Sequence, residues 1–156
     1  MRGASLIKSP PVARWGFGIV RRLSADIYTH AMYELTVERT FSAAHAIRIC
    51  GVVEPLHGHN WHVKASVCGH ELDDDGLLCD FHTVEELLRE ICGRFHNGNL
   101  NTIPPFDQIN PTAELVARHI ADQLERRLGA GGVWVLSVSV QEAAGCVATY
   151  RPGKPS

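Results

Sequence analysis

His57-Gly-His-Asn-Trp-His-Val-Lys-Ala-Ser-Val67 alternates strictly between two kinds of residue. Its even-numbered positions, apart from Gly58, are polar. Its odd-numbered positions form the other set: His57, His59, Trp61, Val63, Ala65 and Val67. A period of two is typical of a β-strand with one buried and one exposed face. On such a strand the imidazoles of His57 and His59 point to the same side of the sheet.

The segments on either side of this strand complete a predicted fold. Upstream, 33–41 alternates in the same way and predicts a first strand. Downstream, apolar residues at helical spacing predict a helix that begins at a capping box of Thr83 and Glu86. A second helix begins at Asn110-Pro111, and two strands follow at 133–142 and 147–150. The apolar faces of these elements are Val84, Leu87, Leu88, Ile91, Cys92 and Phe95, then Val116, Ile120, Leu124 and Leu128, then Trp134, Leu136, Val138, Val140 and Glu142.

The order of these elements is ββααββ. Strands and helices grouped in this way, without βαβ alternation, indicate the α+β class. We expect an antiparallel four-stranded sheet with two helices packed on one face.

The chain divides into a short leader and one domain. The 156 residues are 45% apolar, which suits a single hydrophobic core, and we assign it to 32–156. Residues 1–31 form a basic extension with five basic residues and only one acid, Asp26. This extension is either disordered or an artefact of a start assigned upstream of Met32, or it is a genuine targeting or packing element.

Charge and hydropathy exclude several classes of partner. The net charge of −2 provides no broad cationic field for nucleic acid or an anionic membrane surface. No apolar run reaches the roughly 18 residues of a membrane-spanning helix. The five cysteines contain no C-x-x-C pair, which favours a reducing compartment. We therefore expect a cytoplasmic protein that binds neither nucleic acid nor membrane.

Three histidines are candidate metal ligands. Strand geometry aligns His57 with His59, and His45 shares the core-facing side of the first strand with Phe41 and Ala43. Three neutral imidazoles without a fourth protein ligand are typical of catalytic zinc, which keeps one coordination position open. The alternative is that each histidine is a core residue hydrogen-bonded to the backbone.

Several motifs resemble the 6-pyruvoyl-tetrahydropterin synthase family, which includes 6-carboxytetrahydropterin synthase. They occur in the family's order and span Tyr33 to about Arg151. The motifs are Phe41-Ser-Ala-Ala-His45, Leu56-His-Gly-His-Asn-Trp61, Asp75-Gly with Asp80-Phe81, Leu100-Asn-Thr-Ile-Pro-Pro-Phe-Asp107, Asn110-Pro-Thr-Ala-Glu114 and Glu142.

The resemblance implies a fold, a cofactor and a substrate. The implied tunnelling fold joins the sheets of three subunits into a barrel and stacks two trimers into a homohexamer, with the active site at a subunit interface. The resemblance also implies that His45, His57 and His59 bind Zn²⁺ and that Thr112 and Glu142 hold the pterin ring. The implied substrate is 7,8-dihydroneopterin triphosphate.

Two positions depart from the family pattern. The family's catalytic cysteine is absent at its usual place, so the base is either Glu54, as in a variant branch with glutamate instead, or the more distant Cys50. The family's Leu-Asp-His segment is replaced by Phe95, His96 and Asn97. His96 is the remaining candidate for returning a proton, and a helix-terminal histidine without catalytic role is the alternative.

The expected function is therefore a zinc-dependent lyase acting on the side chain of dihydroneopterin triphosphate. The expected product is 6-carboxy-5,6,7,8-tetrahydropterin, on the route to queuosine-type deazapurines. The alternatives are 6-hydroxymethyl-7,8-dihydropterin for folate and the 6-pyruvoyl product. An alternative of another class is a catalytically degenerate homologue that binds zinc and a pterin, and a third is a purely structural metal clip.

Overall fold

The computed structural model describes residues 32–128 and 132–153, so the basic extension at 1–31 lies outside the described residues. The elements in chain order are β1 (Tyr33–His45), β2 (Arg48–Ile49), β3 (Val52–Val53), β4 (His57–Gly69), α1 (Phe81–Gly93), β5 (Gly98–Asn99), a 3₁₀ turn (Leu100–Thr102), α2 (Ala113–Leu128), β6 (Trp134–Ala143) and β7 (Cys146–Tyr150).

The main sheet has five strands in the order β5-β1-β4-β6-β7, so the four-strand prediction is wrong. The four predicted strands are present and pair in antiparallel fashion, but β5 adds a short parallel pairing to β1 at Ala43 and Ala44. Asn97, at a φ of 59°, turns the chain after α1 so that Gly98 reaches the sheet edge. A two-residue strand has no detectable period, which is why the sequence pattern missed it.

A separate hairpin, β2–β3, occupies the segment between His45 and His57 that shows no alternation. Its two-residue turn consists of Cys50 at a φ of 48° and Gly51 at a φ of 84°. Two consecutive positive φ values are typical of the tight turns that fit the twist of a β-hairpin. The hairpin therefore projects Cys50 at its tip.

The helices pack as predicted, but both begin at other residues than predicted, and α2 begins at Ala113 rather than at Asn110-Pro111. Val84, Leu88 and Ile91 of α1 are buried, as are Val116 and Ile120 of α2. The N-cap of α1 is Asp80, whose side chain accepts a hydrogen bond from the backbone N–H of His82, so the helix starts before the predicted Thr83–Glu86 capping box. An aspartate is as good an N-cap as a threonine, and its position next to Phe81 places that residue in the first turn.

The predicted apolar face of β6 is wrong in its first half. The β4–β6 register shifts between Ser66 and Val67, so that Ser137 and Val135 pair with them and Leu136 is the extra residue. A β-bulge of this kind reverses the side-chain alternation. Val135, Val138 and Val140 are therefore the buried residues of this strand.

Aromatic packing under the β1–β4 pair leads directly to the candidate histidines. Phe41 and Trp61 are buried and stacked, with ring centroids 5.9 Å apart. The indole N–H of Trp61 donates to the carbonyl of Ala43 at 3.1 Å, and the edge of the indole contacts His45 at a centroid distance of 4.8 Å. The histidines thus lie where the hydrophobic core ends.

Within the described residues, no helix has both the length and the apolar composition that a bilayer-spanning segment requires.

Candidate metal centre

The β1–β4 register brings the three candidate histidines together, as the sequence predicted. His45 pairs directly with His57, and Ala43 pairs with His59. The ring centroids are 4.8 Å apart for His45–His57, 5.2 Å for His45–His59 and 4.7 Å for His57–His59. Because the rings come from paired strands, their spacing is determined by backbone hydrogen bonds rather than by a flexible loop.

Backbone carbonyls orient two of the three imidazoles. Nδ1 of His45 donates to the carbonyl of Pro111 at 2.8 Å, and Nδ1 of His57 donates to the carbonyl of Pro55 at 2.9 Å. Each carbonyl sets the tautomer, which leaves the Nε2 lone pair free. This is the outer-shell arrangement that metal-binding histidines normally have.

The Nε2 atoms distinguish a metal site from a set of satisfied core histidines. Nε2 of His45 and Nε2 of His59 are buried and have no hydrogen-bond partner among the described residues. Native structures rarely leave buried polar atoms unpaired, because the lost hydration is not recovered. A bound metal ion that accepts their lone pairs would explain why these unpaired nitrogen atoms converge.

Glu142 adds a carboxylate to this cluster, which the prediction of three imidazoles alone did not include. Its Oε1 lies 3.5 Å from Nε2 of His45 and 3.4 Å from Nε2 of His59. The candidate ligand atoms of His45, His57, His59 and Glu142 all lie within 4.8 Å of one another. Gln141 pairs with His62 in antiparallel register, so Glu142 lies one residue further along β6, towards the histidine end of β4.

The electrostatic environment keeps His59 in its metal-binding form. Burial lowers the pKa of this imidazole, the Glu142 carboxylate opposes that effect, and the neighbouring His45 and His57 lower the pKa further. A lower pKa favours the neutral imidazole, which is the form that coordinates metals. His59 is therefore ready to act as a ligand at neutral pH without losing a proton.

Glu54 lies next to the cluster, whereas Cys50 lies in the turn of the β2–β3 hairpin. Oε1 of Glu54 is 3.6 Å from Nε2 of His57, and the Glu54 side chain is 29% exposed. Cys50 is exposed in the β2–β3 turn. Of the two candidate bases, only Glu54 has a described contact with a candidate metal ligand.

The structure places His96 and Thr112 in contacts outside the histidine cluster. His96 is exposed, and its Nδ1 accepts a hydrogen bond from the backbone N–H of Ser42 at 3.2 Å. Thr112 is at the start of α2, where its hydroxyl accepts from the backbone N–H of Leu115 at 3.4 Å. Thr112 directly follows Pro111, whose carbonyl orients His45, so it borders the site through the backbone.

A protein-family model described as 6-pyruvoyl tetrahydropterin synthase matches residues 34–153. The chain belongs to this family. Apart from Tyr33, the first residue of β1, the match covers every strand and helix described above and contains the histidines and Glu142.

Individual relatives agree with this assignment. The chain is 32% identical to the 6-carboxy-5,6,7,8-tetrahydropterin synthase of Bacillus subtilis, over 83% of this chain and 95% of that protein. Its fold is similar to that of the 6-pyruvoyl tetrahydropterin synthase of Caenorhabditis elegans, with a TM-score of 0.69, 20% identity, and coverage of 79% of this chain and 97% of that one. It is also similar to a Plasmodium vivax 6-pyruvoyltetrahydropterin synthase, described as a glutamate-to-alanine catalytic residue mutant, with a TM-score of 0.64, 22% identity, and coverage of 78% and 98%.

The donor set of this family member suits a divalent transition metal. Three imidazole nitrogens with or without a carboxylate oxygen are ligands that zinc accepts in tetrahedral sites. The orphaned Nε2 atoms of His45 and His59 agree with that donor set.

Sequence reasoning missed the backbone carbonyls and the approach of Glu142 to the histidines. The carbonyls of Pro55 and Pro111 leave no sequence signal, because every residue has a carbonyl. Glu142 left a partial signal: a charged residue at the end of an otherwise apolar strand face. Its distance to His45 and His59 depends on which strands are neighbours in the sheet. There β6 lies next to β4, although two helices separate these strands in the sequence.

Proposed function

We propose that this chain is a zinc-dependent lyase that acts on the side chain of 7,8-dihydroneopterin triphosphate and forms 6-carboxy-5,6,7,8-tetrahydropterin. The observation that carries the proposal is the convergence of three imidazoles, two of which, His45 and His59, have buried Nε2 atoms without a hydrogen-bond partner among the described residues, within a domain of the 6-pyruvoyl tetrahydropterin synthase family. The name of the Bacillus subtilis relative supports the carboxy product. This product would place the protein on a route to queuosine-type deazapurines in the cytoplasm.

His45, His57 and His59 would hold the zinc ion. Bound there, zinc lowers the pKa of a neighbouring substrate hydroxyl and stabilises the negative charge that develops when a proton leaves the side chain. The strand-paired backbone and the carbonyls of Pro55 and Pro111 hold the rings in place before substrate arrives.

Glu54 would remove the side-chain proton. Its carboxylate lies 3.6 Å from Nε2 of His57, so a substrate atom near the metal centre is also near this carboxylate. A positioned carboxylate acts as general base when substrate binding excludes water. The Plasmodium vivax relative, described as mutated at a catalytic glutamate, supports a catalytic role for a glutamate in this fold.

Glu142 and Thr112 would hold the pterin. The amino-pyrimidine edge of a pterin presents two N–H donors, and an ionised carboxylate accepts both. Glu142 is half-buried at the cluster, where such a partner would compensate its desolvation. Thr112 begins α2 beside the carbonyl that orients His45.

The sheet edges support an oligomer with the active site at a subunit interface. Among the described residues, β1 pairs with β5 only at Ala43 and Ala44, and the backbone of Ser42 is bonded to His96 and Asn97. The outer edge of 33–41 therefore has no strand partner among the described residues, and β7 is the other edge of the sheet. Two open edges on one sheet allow subunits to join head to tail into a closed ring. His96, bonded to Ser42 at this edge, would return a proton in a neighbouring subunit's site in the trimer or hexamer.

The product distinguishes this proposal from its alternatives. Purified, zinc-loaded protein is incubated with 7,8-dihydroneopterin triphosphate, and the pterins are identified by mass spectrometry. We expect the carboxy-pterin. The hydroxymethyl-pterin would instead assign the chain to the variant branch suggested by Glu54, and the pyruvoyl product would indicate triphosphate elimination.

A second candidate function is a zinc and pterin binder without turnover. It is favoured by one observation: Phe95, His96 and Asn97 replace the Leu-Asp-His segment of the family pattern. Pterin binding by zinc-loaded wild-type protein, without product from any dihydropterin, would establish this function and exclude the lyase.

A further inference from the structure

Two asparagines hold the chain segment that leaves the metal centre. The side-chain Oδ1 of Asn101 accepts from the backbone N–H of Ala46 at 2.8 Å, and its Nδ2 donates to the Ala46 carbonyl at 2.8 Å. Asn110 binds Arg48 in the same two-sided way, with distances of 2.8 Å to the N–H and 3.0 Å to the carbonyl. Each side-chain amide thus pairs with both the N–H and the carbonyl of one residue of this segment.

Glu54 binds the residue between these two clamps. The backbone N–H of Ile47 donates to Oε1 of Glu54 at 3.2 Å, and the backbone N–H of Glu54 donates to the Ile47 carbonyl at 3.1 Å. Three consecutive residues, 46–48, therefore have both backbone polar groups paired with Asn101, Glu54 or Asn110. The same Oε1 atom of Glu54 lies 3.6 Å from Nε2 of His57.

Only a carboxamide side chain can make the contacts of Asn101 and Asn110. Each needs a donor and an acceptor on one rigid group, and asparagine offers both at the length found here. Aspartate has no N–H to donate to a carbonyl, and leucine has neither donor nor acceptor. Asn101 is itself held, because its backbone N–H donates to Oδ1 of Asn99 at 3.0 Å.

We propose that Asn101 and Asn110 are positioning residues that aim Glu54 at the metal centre by fixing residues 46–48. This inference rests on the proposed function, in which Glu54 is the general base. The metal ligands do not need the clamps, since His45, His57 and His59 all stand on the paired strands β1 and β4. Loss of a clamp therefore reduces turnover and leaves zinc binding intact.

The variants Asn101→Leu and Asn110→Leu remove one clamp each, and Gln108→Leu is the matched control. Gln108 lies in the same loop as Asn110 and hydrogen-bonds only its neighbour Asp107 through its side chain. We expect kcat to fall about 10- to 100-fold in each asparagine variant, as for other residues that orient a reacting group, with KM and zinc affinity close to wild type. Gln108→Leu retains wild-type kcat.

A double-mutant cycle with Glu54→Gln tests whether the clamps act through Glu54. If they do, Asn101→Leu causes no further loss of kcat once Glu54 is neutralised, because the group it positions no longer works. Equal losses of kcat in the wild-type and Glu54→Gln backgrounds would overturn the proposal.

Hydrogen–deuterium exchange gives a readout that does not depend on turnover. Exchange of the peptide that spans 46–54 should accelerate in both asparagine variants and stay unchanged in Gln108→Leu. Unchanged exchange in the asparagine variants would overturn the positioning role, even if wild type forms no product and the proposed lyase function fails. Asn101→Asp and Asn110→Asp, which keep the acceptor, provide the same comparison if a leucine variant does not fold.

Discussion

The site is built from two regions that differ in what holds them. His45, His57 and His59 stand on paired strands, where backbone hydrogen bonds determine their positions. Glu54 stands after a two-stranded hairpin, and a chain of side-chain contacts determines its position. In the proposed function, the strand region supplies metal ligands that need fixed spacing, whereas the loop region supplies a base whose alignment depends on side chains distant in sequence.

This difference separates two kinds of loss. A change in the strand region should remove the metal, because a ligand set with one member missing cannot hold it tightly. A change in the loop region should leave the metal in place and impair proton transfer. Zinc affinity and kcat measured on the same variants therefore distinguish the two regions.

His59→Ala should cause the largest effect. Replacing outer-shell partners of metal ligands commonly lowers affinity about 10- to 100-fold, and loss of a ligand itself should exceed that range and abolish turnover. Zinc affinity is measured by competition with a chromophoric chelator. His62→Ala is the matched control, because His62 lies on the same strand but contacts Thr40 on the opposite face.

Removal of zinc from wild-type protein completes this test. We expect the far-ultraviolet circular dichroism spectrum to persist, because the buried core is continuous without the site. Unfolding on chelation would instead indicate a structural metal clip and contradict a catalytic site.

Glu54→Gln should lower kcat about 10²- to 10⁴-fold, the usual contribution of a general base, with zinc affinity unchanged. The substitution keeps an oxygen that can accept from the Ile47 N–H and removes only the basic carboxylate. Cys50→Ala, at the exposed hairpin tip, should leave kcat unchanged. If Cys50→Ala lost turnover while Glu54→Gln stayed active, the general base would be Cys50 and not Glu54.

Glu142→Gln tests which region this carboxylate serves. If Glu142 anchors the pterin, the variant loses the charged hydrogen bonds to the substrate. KM should then rise about 10- to 100-fold, with zinc affinity unchanged. As a fourth metal ligand it would instead change zinc affinity, since its Oε1 lies 3.4 Å from Nε2 of His59. Substrate titrations on zinc-saturated protein, together with the chelator competition, separate these roles.

His119→Leu should show the smallest effect and tests a partly buried imidazole outside the candidate metal centre. Its Nε2 has no hydrogen-bond partner among the described residues, and its ring packs against Phe95 and Phe106. Burial lowers its pKa, the charges of Arg94 and Arg126 lower it further, and Asp122 opposes them.

The sign of the expected pH dependence follows from this shift. The folded state resists protonation of His119 whereas the unfolded state accepts a proton near pH 6.5, so this contribution to stability is present above that pH and is lost as the pH falls. Urea unfolding between pH 7.5 and 5 should therefore show a shallower loss of stability for His119→Leu than for wild type. Parallel curves would show that His119 is not the titrating group.

The strand and helix patterns were predictable because they depend on local periodicity. The alternation in 57–67 predicted β4, and the face shared by His57 and His59 was confirmed. The spacing of Val84, Leu88 and Ile91 predicted the buried side of α1. The bulge at Leu136 was not predictable, because pairing with β4 produces it and the pattern within β6 does not reveal it.

The sequence by itself determined which side chains have metal-binding chemistry and which face of β4 is buried, because side-chain chemistry and a period of two are local properties. Only the tertiary structure decided that Glu142 meets His45, that Pro111 orients His45, and that Asn101 and Asn110 hold the segment leading to Glu54. These contacts join residues about 55 to 97 positions apart, and their formation depends on the packing of whole elements.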